Sequence, residues 1–105
     1  MAFPLPDKPS IAVLPFDNMT GDDEKEYIAG GISEQIITVL SKSPRLFVVS
    51  RSSTFTYKDK PAKVHEVSQE LGVRYVLEGS IRKAGDKLRV TAQLIDAVKG
   101  YHLWA

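Results

Sequence analysis

The apolar residues of this sequence fall into short continuous runs, two helical faces and one long alternating stretch. Ile11-Ala12-Val13-Leu14 is an unbroken apolar run closed by Pro15. That is the pattern of a strand covered on both faces or lying centrally in a sheet. Turn-forming residues follow from Asp17 to Gly21, and then Ile28, Ile32, Ile36, Val39 and Leu40 recur at three- and four-residue spacing. This spacing places them on one face of a helix that Pro44 stops. Leu46-Phe47-Val48-Val49 supplies a second strand, so strand, helix and strand form a right-handed parallel crossover.

Residues 51 to 62 have no sustained periodicity and read as a loop. Val64, Val67 and Leu71 then mark a short second helix ended by Gly72. Two β-rich stretches, Val73 to Lys83 and Lys87 to Asp96, flank Ala84-Gly85-Asp86, whose glycine takes the positive φ of a tight hairpin. In the second of these stretches Leu88, Val90, Ala92 and Leu94 alternate with Arg89, Thr91, Gln93 and Ile95. One face of the sheet is therefore expected to be buried and the other largely wet, with both helices on the buried face. A turn at Lys99-Gly100 leads into a fifth strand, Tyr101 to Ala105. The expected fold is α/β: a two-layer sandwich with a mixed five-stranded sheet and two helices in the order β-α-β-α-β-β-β. Residues 1–9, with Pro4, Pro6 and Pro9, read as a Pro-rich leader or linker, and residues 10–105 as a single domain whose last strand is truncated at the C-terminus. An unfinished edge strand invites pairing with another chain, so a homodimer is one expected partner state.

The chain has 105 residues, with 14 basic and 13 acidic side chains, giving a net charge of +1. A nucleic-acid partner, which a basic surplus would announce, is not expected. The chain has no cysteine, so disulfides and thiolate chemistry are excluded, and the setting stays open between periplasm and cytoplasm, as a soluble domain of a protein that could be membrane-anchored. No apolar run approaches the roughly 18 residues of a spanning helix, so direct membrane insertion is not expected either.

Several blocks resemble a known family. They are Asp7 to Phe16, Ser53-Thr54-Phe55-Thr56-Tyr57-Lys58, Glu70 to Ser80, Val90 to Ala97 and His102-Leu103-Trp104-Ala105. Together they resemble the TolB-N-terminal-like domain found in some bacterial class III adenylate and guanylate cyclases. Family members commonly carry Asp where Gly30 stands and continue past Ala105 with a charged segment. The resemblance implies a non-catalytic regulatory or interaction domain whose partners are other domains of its parent protein, a cyclase or winged-helix regulator and tetratricopeptide repeats. It brings no catalytic residue and no cofactor. A small-ligand or nucleotide sensor and a structural spacer are the alternatives.

Each candidate for chemistry has a structural counterpart. Asp22, Asp23, Glu24 and Glu26 form the only dense carboxylate group, but their place at a helix start favours capping, with Asp23 as cap and Glu26 as its partner, over metal binding. Gly30-Gly31 falls inside the helix without a phosphate-loop pattern, and close packing is the favoured reason for it. His65 and His102, with Ser33, Ser52 or Ser53 and Asp17, have no spacing that supports a nucleophilic triad. The aromatic residues Phe55, Tyr57, Tyr75, Tyr101 and Trp104 sit on separate elements, which favours core or interface packing over base stacking. Arg51, Ser52, Ser53 and Thr54 follow directly on a parallel strand, the end of an α/β sheet where ligands bind, and are the candidate ligand-binding residues. There Arg51 would pair with an anion and the hydroxyls would hydrogen-bond it, while loop-internal bonds that satisfy the chain are the favoured reading.

Overall fold

The computed structural model describes residues 8–58, 63–99 and 101–104. Most of the Pro-rich leader, the loop residues 59–62, Gly100 and Ala105 lie outside the described residues, as do the side chains of Tyr101, His102 and Trp104. The elements are β1 Ser10–Val13, β2 Asp17–Asn18, a 3-10 turn Asp23–Lys25, α1 Glu26–Ser41 and β3 Phe47–Val48. They continue with α2 Arg51–Thr54, a 3-10 turn Phe55–Tyr57, α3 Val64–Leu71, β4 Tyr75–Ala84, β5 Lys87–Asp96 and β6 Tyr101–Trp104.

Five strands lie in the order β3-β1-β4-β5-β6, with β1 parallel to both β3 and β4 and the last two pairings antiparallel. The α/β class, the mixed sheet and the parallel crossover are those expected. A sixth strand, β2, continues along β4 where β1 leaves off. Between the two, Val13 to Asp17 spans one residue more than the facing Leu77 to Ser80. The extra residue is accommodated around Pro15, which has no N–H to give to a ladder. Leu14 N–H still donates to the Leu77 carbonyl at 2.9 Å, and the Phe16 N–H donates to the Ser33 hydroxyl at 2.8 Å. Ser33, fully buried on α1, donates in turn to the Ala29 carbonyl at 3.2 Å. A break in the strand that would leave a buried donor unpaired is thus closed by one side chain.

The helices do not share a face. Strand alternation sends Val13 and Leu77 to one side, where Ile36, Ile37 and Leu40 of α1 pack, and Phe16 and Ile81 join the same helix through Ala29 and Ile32. Ala12, Leu14 and Val76 point to the other side, where Val64, Val67 and Leu71 of α3 pack. The expectation of both helices on one face fails because it was read from β5, whose alternation is real, whereas the apolar run of β1 requires cover on both sides. The helix count also changes from two to three, since α2 forms in the segment read as a loop. Four residues are too few for periodicity to register.

Helix ends follow local chemistry. Asp22, not Asp23, is the cap: its carboxylate accepts from Glu24 N–H at 3.0 Å and opens the 3-10 turn that leads into α1. Gly72 closes α3 at φ 68°, with its own N–H and that of Val73 both donating to the Ser68 carbonyl. Gly85, also at φ 68°, turns the β4–β5 hairpin between the paired residues Ala84 and Lys87.

Candidate functional site

A groove of about 350 Å³ opens beyond the carboxyl ends of the parallel strands β1 and β3. Pro15 and Phe16, which leave β1, form its floor with Gly30 and Gly31 of α1, and Arg51, Phe55 and Lys58, which follow β3, form the opposite wall. The location has a topological cause. The chain leaves β1 for the α1 face and leaves β3 on its way to the α3 face, and such divergence opens a crevice at the strand ends.

The charges around this groove are internally paired. Arg51 Nε forms an ion pair with Glu34 Oε1 while its guanidinium lies 4.3 Å from the centre of the Phe55 ring. Lys58 Nζ lies 3.3 Å from Glu26 Oε1. Both pairs are about half exposed, where ion pairs exchange readily with water and with an incoming charge. Of the four candidate residues only Arg51 lines the groove. The Ser52 and Ser53 hydroxyls lie 3.1 and 3.3 Å from the Ser50 hydroxyl, and buried Thr54 donates to the Arg51 carbonyl at 3.4 Å. The sequence reading missed Phe55 and Lys58 as partners of Arg51. The four-residue step from Arg51 to Phe55 is the signal for the first, legible once the segment is helical.

The remaining candidates fall apart spatially. Gly31 is exposed and a Cβ added there would meet nothing within 4 Å, while one at Gly30 would sit 3.9 Å from Phe55 Cε2. Close packing within the chain is therefore not the reason for this pair, because α1 turns this stretch toward the groove and not toward a strand. Asp22 caps the turn and Glu26 pairs with Lys58, and among the described residues no three His, Asp or Glu side chains come together as a metal site. Ser33 on α1 and His65 on α3 lie on opposite faces of the sheet, and the His65 Nδ1 is 3.4 Å from the Ala97 carbonyl. Phe55 packs against the α1-side core, and Tyr57 against the α3-side core with its hydroxyl donating to Glu70 Oε1 at 3.1 Å. Burial, followed by that carboxylate, raises the Tyr57 phenol above its ordinary range.

The most deeply organised charge pair lies elsewhere, where β4 begins. Arg74 Nε and Nη2 donate to Asp96 Oδ2 at 3.2 and 3.0 Å, and Asp96 Oδ1 accepts from the Val98 and Lys99 N–H groups. This carboxylate ties the end of β5 and the following turn to the start of β4. It is a brace, with every oxygen already occupied by the chain.

The profile of the HilA/YgeH-like transcriptional regulator second domain matches residues 7–104. The chain belongs to this family. It is also 61% identical, over 101 residues, to a Rhizobium meliloti (strain 1021) protein named "Putative adenylate cyclase 3"; the match takes in 96% of this chain and 17% of that protein. The chain thus spans about a sixth of the length of this relative. Among solved structures, lipoprotein GNA1162 from Neisseria meningitidis superposes with a TM-score of 0.72 at 20% identity, covering 91% of this chain and 77% of that one. TolB from Acinetobacter baumannii superposes with a TM-score of 0.61 at 26% identity, covering 95% of this chain and 22% of that one. The TolB-like fold expected from the sequence blocks is the fold of this family member.

Proposed function

We propose that this chain is a non-catalytic interaction domain of a longer bacterial signalling protein of the adenylate or guanylate cyclase kind. Its partners are then the other domains of that protein, a cyclase domain and tetratricopeptide repeats among them. The observation that carries this reading is the 61% identity, over 96% of this chain, to a relative named for a cyclase. In that relative the matching stretch is 17% of a longer chain, which fits a part that works through its neighbours.

The test has two arms. Purified chain incubated with ATP or GTP and Mg²⁺ or Mn²⁺ is expected to form no cyclic nucleotide, and turnover above background would overturn the non-catalytic reading. The chain titrated against the Rhizobium meliloti relative lacking its own copy of this unit is expected to give a saturable complex by calorimetry; no heat of binding would overturn the interaction reading.

A second reading, a small-ligand sensor, is favoured by one observation: Arg51 faces a groove at the carboxyl ends of two parallel strands. A ligand at a hundred times its Kd stabilises by about 2.7 kcal/mol. Thermal unfolding against nucleotides, cyclic nucleotides and sugars is then expected to give a shift that Arg51→Ala removes, and a flat panel rejects this reading.

A further inference from the structure

The outer half of the β4–β5 hairpin adds nothing to the core. Every residue from Arg82 to Thr91 is exposed, and none of them belongs to the buried clusters, which end at Ile81 and Ala92. A two-stranded ribbon is marginal in water without packing on a face. This one carries a further cost, because its register sets Arg82 directly opposite Arg89. Like charges facing each other across an antiparallel pair are destabilising. Among the described residues neither guanidinium forms an ion pair or lies over an aromatic ring. The ribbon therefore holds two unneutralised arginines side by side where neither its own fold nor its core gains from them.

Alternation fixes which face they occupy. Arg82, Lys87 and Arg89 share a face with Ser80 and Thr91, whose hydroxyls lie 2.9 Å apart on the next rung. From that rung a shallow hollow of about 240 Å³ runs toward Met19, Glu78 and Gln93. The face grades from basic at the hairpin tip to acidic at its inner end, where Asp17 and Glu78 also line the hollow. We propose that this face of the hairpin is a docking surface for an acidic segment of a protein partner, an extended chain with carboxylates at alternate positions. One carboxylate would bridge Arg82 and Arg89 through charge-assisted, bidentate hydrogen bonds, the geometry for which arginine is better suited than lysine. The alternating side chains of an extended segment match the two-residue step of the strands. A nucleic acid fits poorly. The basic stretch is confined to the outer rungs, Arg82, Lys87 and Arg89, and gives way to Glu78 within the hollow, too short a track for a polyanion with a charge at every step.

The proposal rests on the interaction reading, and the test separates the two. The probe is a capped decapeptide of alternating Glu and Thr, with the Lys-Thr peptide as control, titrated into the whole chain and followed by amide NMR shifts. Saturable shifts centred on residues 80–91 are expected, weakening as NaCl rises from about 0.05 to about 0.3 M. The double variant Arg82→Gln/Arg89→Gln is expected to bind the peptide about tenfold more weakly or worse while keeping the parent's amide spectrum elsewhere. Absent shifts, shifts outside the hairpin, or equal binding of the lysine peptide overturn the proposal, as does duplex DNA binding tighter than the Glu-Thr peptide. A second measurement needs no ligand. Arg89→Thr removes the like-charge pair and inserts a good strand former, so its melting temperature is expected to stay level or rise; a clear fall assigns Arg89 a structural role and overturns the proposal. If the double variant still binds the shortened Rhizobium meliloti relative as the parent does, the hairpin proposal fails and the interaction reading stands. If the relative binds neither form, the interaction reading itself fails.

Discussion

Replacing Gly31 by alanine is expected to stabilise this protein, although a glycine pair inside a helix suggests the opposite. In a helix interior glycine is less favourable than alanine by about 0.8–1.0 kcal/mol, because it surrenders more backbone freedom on folding. That gain is lost where the new methyl group collides with a neighbour or where φ is positive. At Gly31 neither holds: an added Cβ would meet nothing within 4 Å, and among the described residues the positive-φ glycines are Gly21, Gly72 and Gly85. The full difference of about 1 kcal/mol is therefore available, equivalent to a rise of about 4–8 °C in the melting temperature of a domain near this size. The assay is thermal and urea unfolding of both forms by circular dichroism, with the urea midpoint moving up at unchanged slope. Gly30→Ala gives the internal comparison, since its Cβ would touch Phe55 Cε2 at an ordinary 3.9 Å and should stabilise to a similar extent. A lower midpoint for Gly31→Ala would refute the reasoning, since it would mean that close packing does hold this position.

Gly79 should behave in the opposite way, because a Cβ there would press on the Thr91 carbonyl oxygen and come within 2.5 Å of the Phe16 ring. Gly79→Ala is expected to cost about 2 kcal/mol or more, and a melting temperature within a degree of the parent's would count against that close contact. For Asp96, burial works to raise the pKa, but the hydrogen bonds from Arg74, Lys99 and Val98 outweigh it and hold the carboxyl below the ordinary carboxylate range. A folded-state pKa lower than the unfolded one contributes stability that is fully present above about pH 4 and is lost as pH falls through the folded value. Asp96→Asn is thus expected to melt earlier at neutral pH and to lose less on acidification below about pH 4; parallel curves for the two forms would remove Asp96 from the acid transition.

The parts of the fold that the sequence announces are those where one residue type has one physical explanation. Pro15 ends the first strand, Gly72 ends α3 in a left-handed conformation, and Gly85 turns the hairpin. What escapes are consequences of three-dimensional pairing. The alternation of β5 describes its own two faces, but the cover on the far side of β1 depends on where the chain passes after β3. Short α2 is held by backbone bonds to the Ser50 carbonyl and by Arg51 stacking on Phe55, neither of which leaves a periodic trace. The candidate site was legible to the extent of one residue. Arg51 follows a parallel strand and does face a groove, whereas the three hydroxyl residues after it turn to local hydrogen bonds because short side chains compete for nearby backbone and for one another. Glu34, seventeen positions earlier on α1, could be matched to Arg51 only once the helix and the turn were placed side by side.

The directions of the strands carry a mechanical consequence. Because β1 runs parallel to β4, β5 opposes β4 and β6 opposes β5, the polypeptide enters β1 at one end of the sheet and leaves β6 at the other. Tension between those two points would load the three ladders lengthwise, so that many hydrogen bonds must yield together rather than one after another as in peeling. A fold loaded in this way would transmit force along its strands while keeping a fixed separation between its two ends.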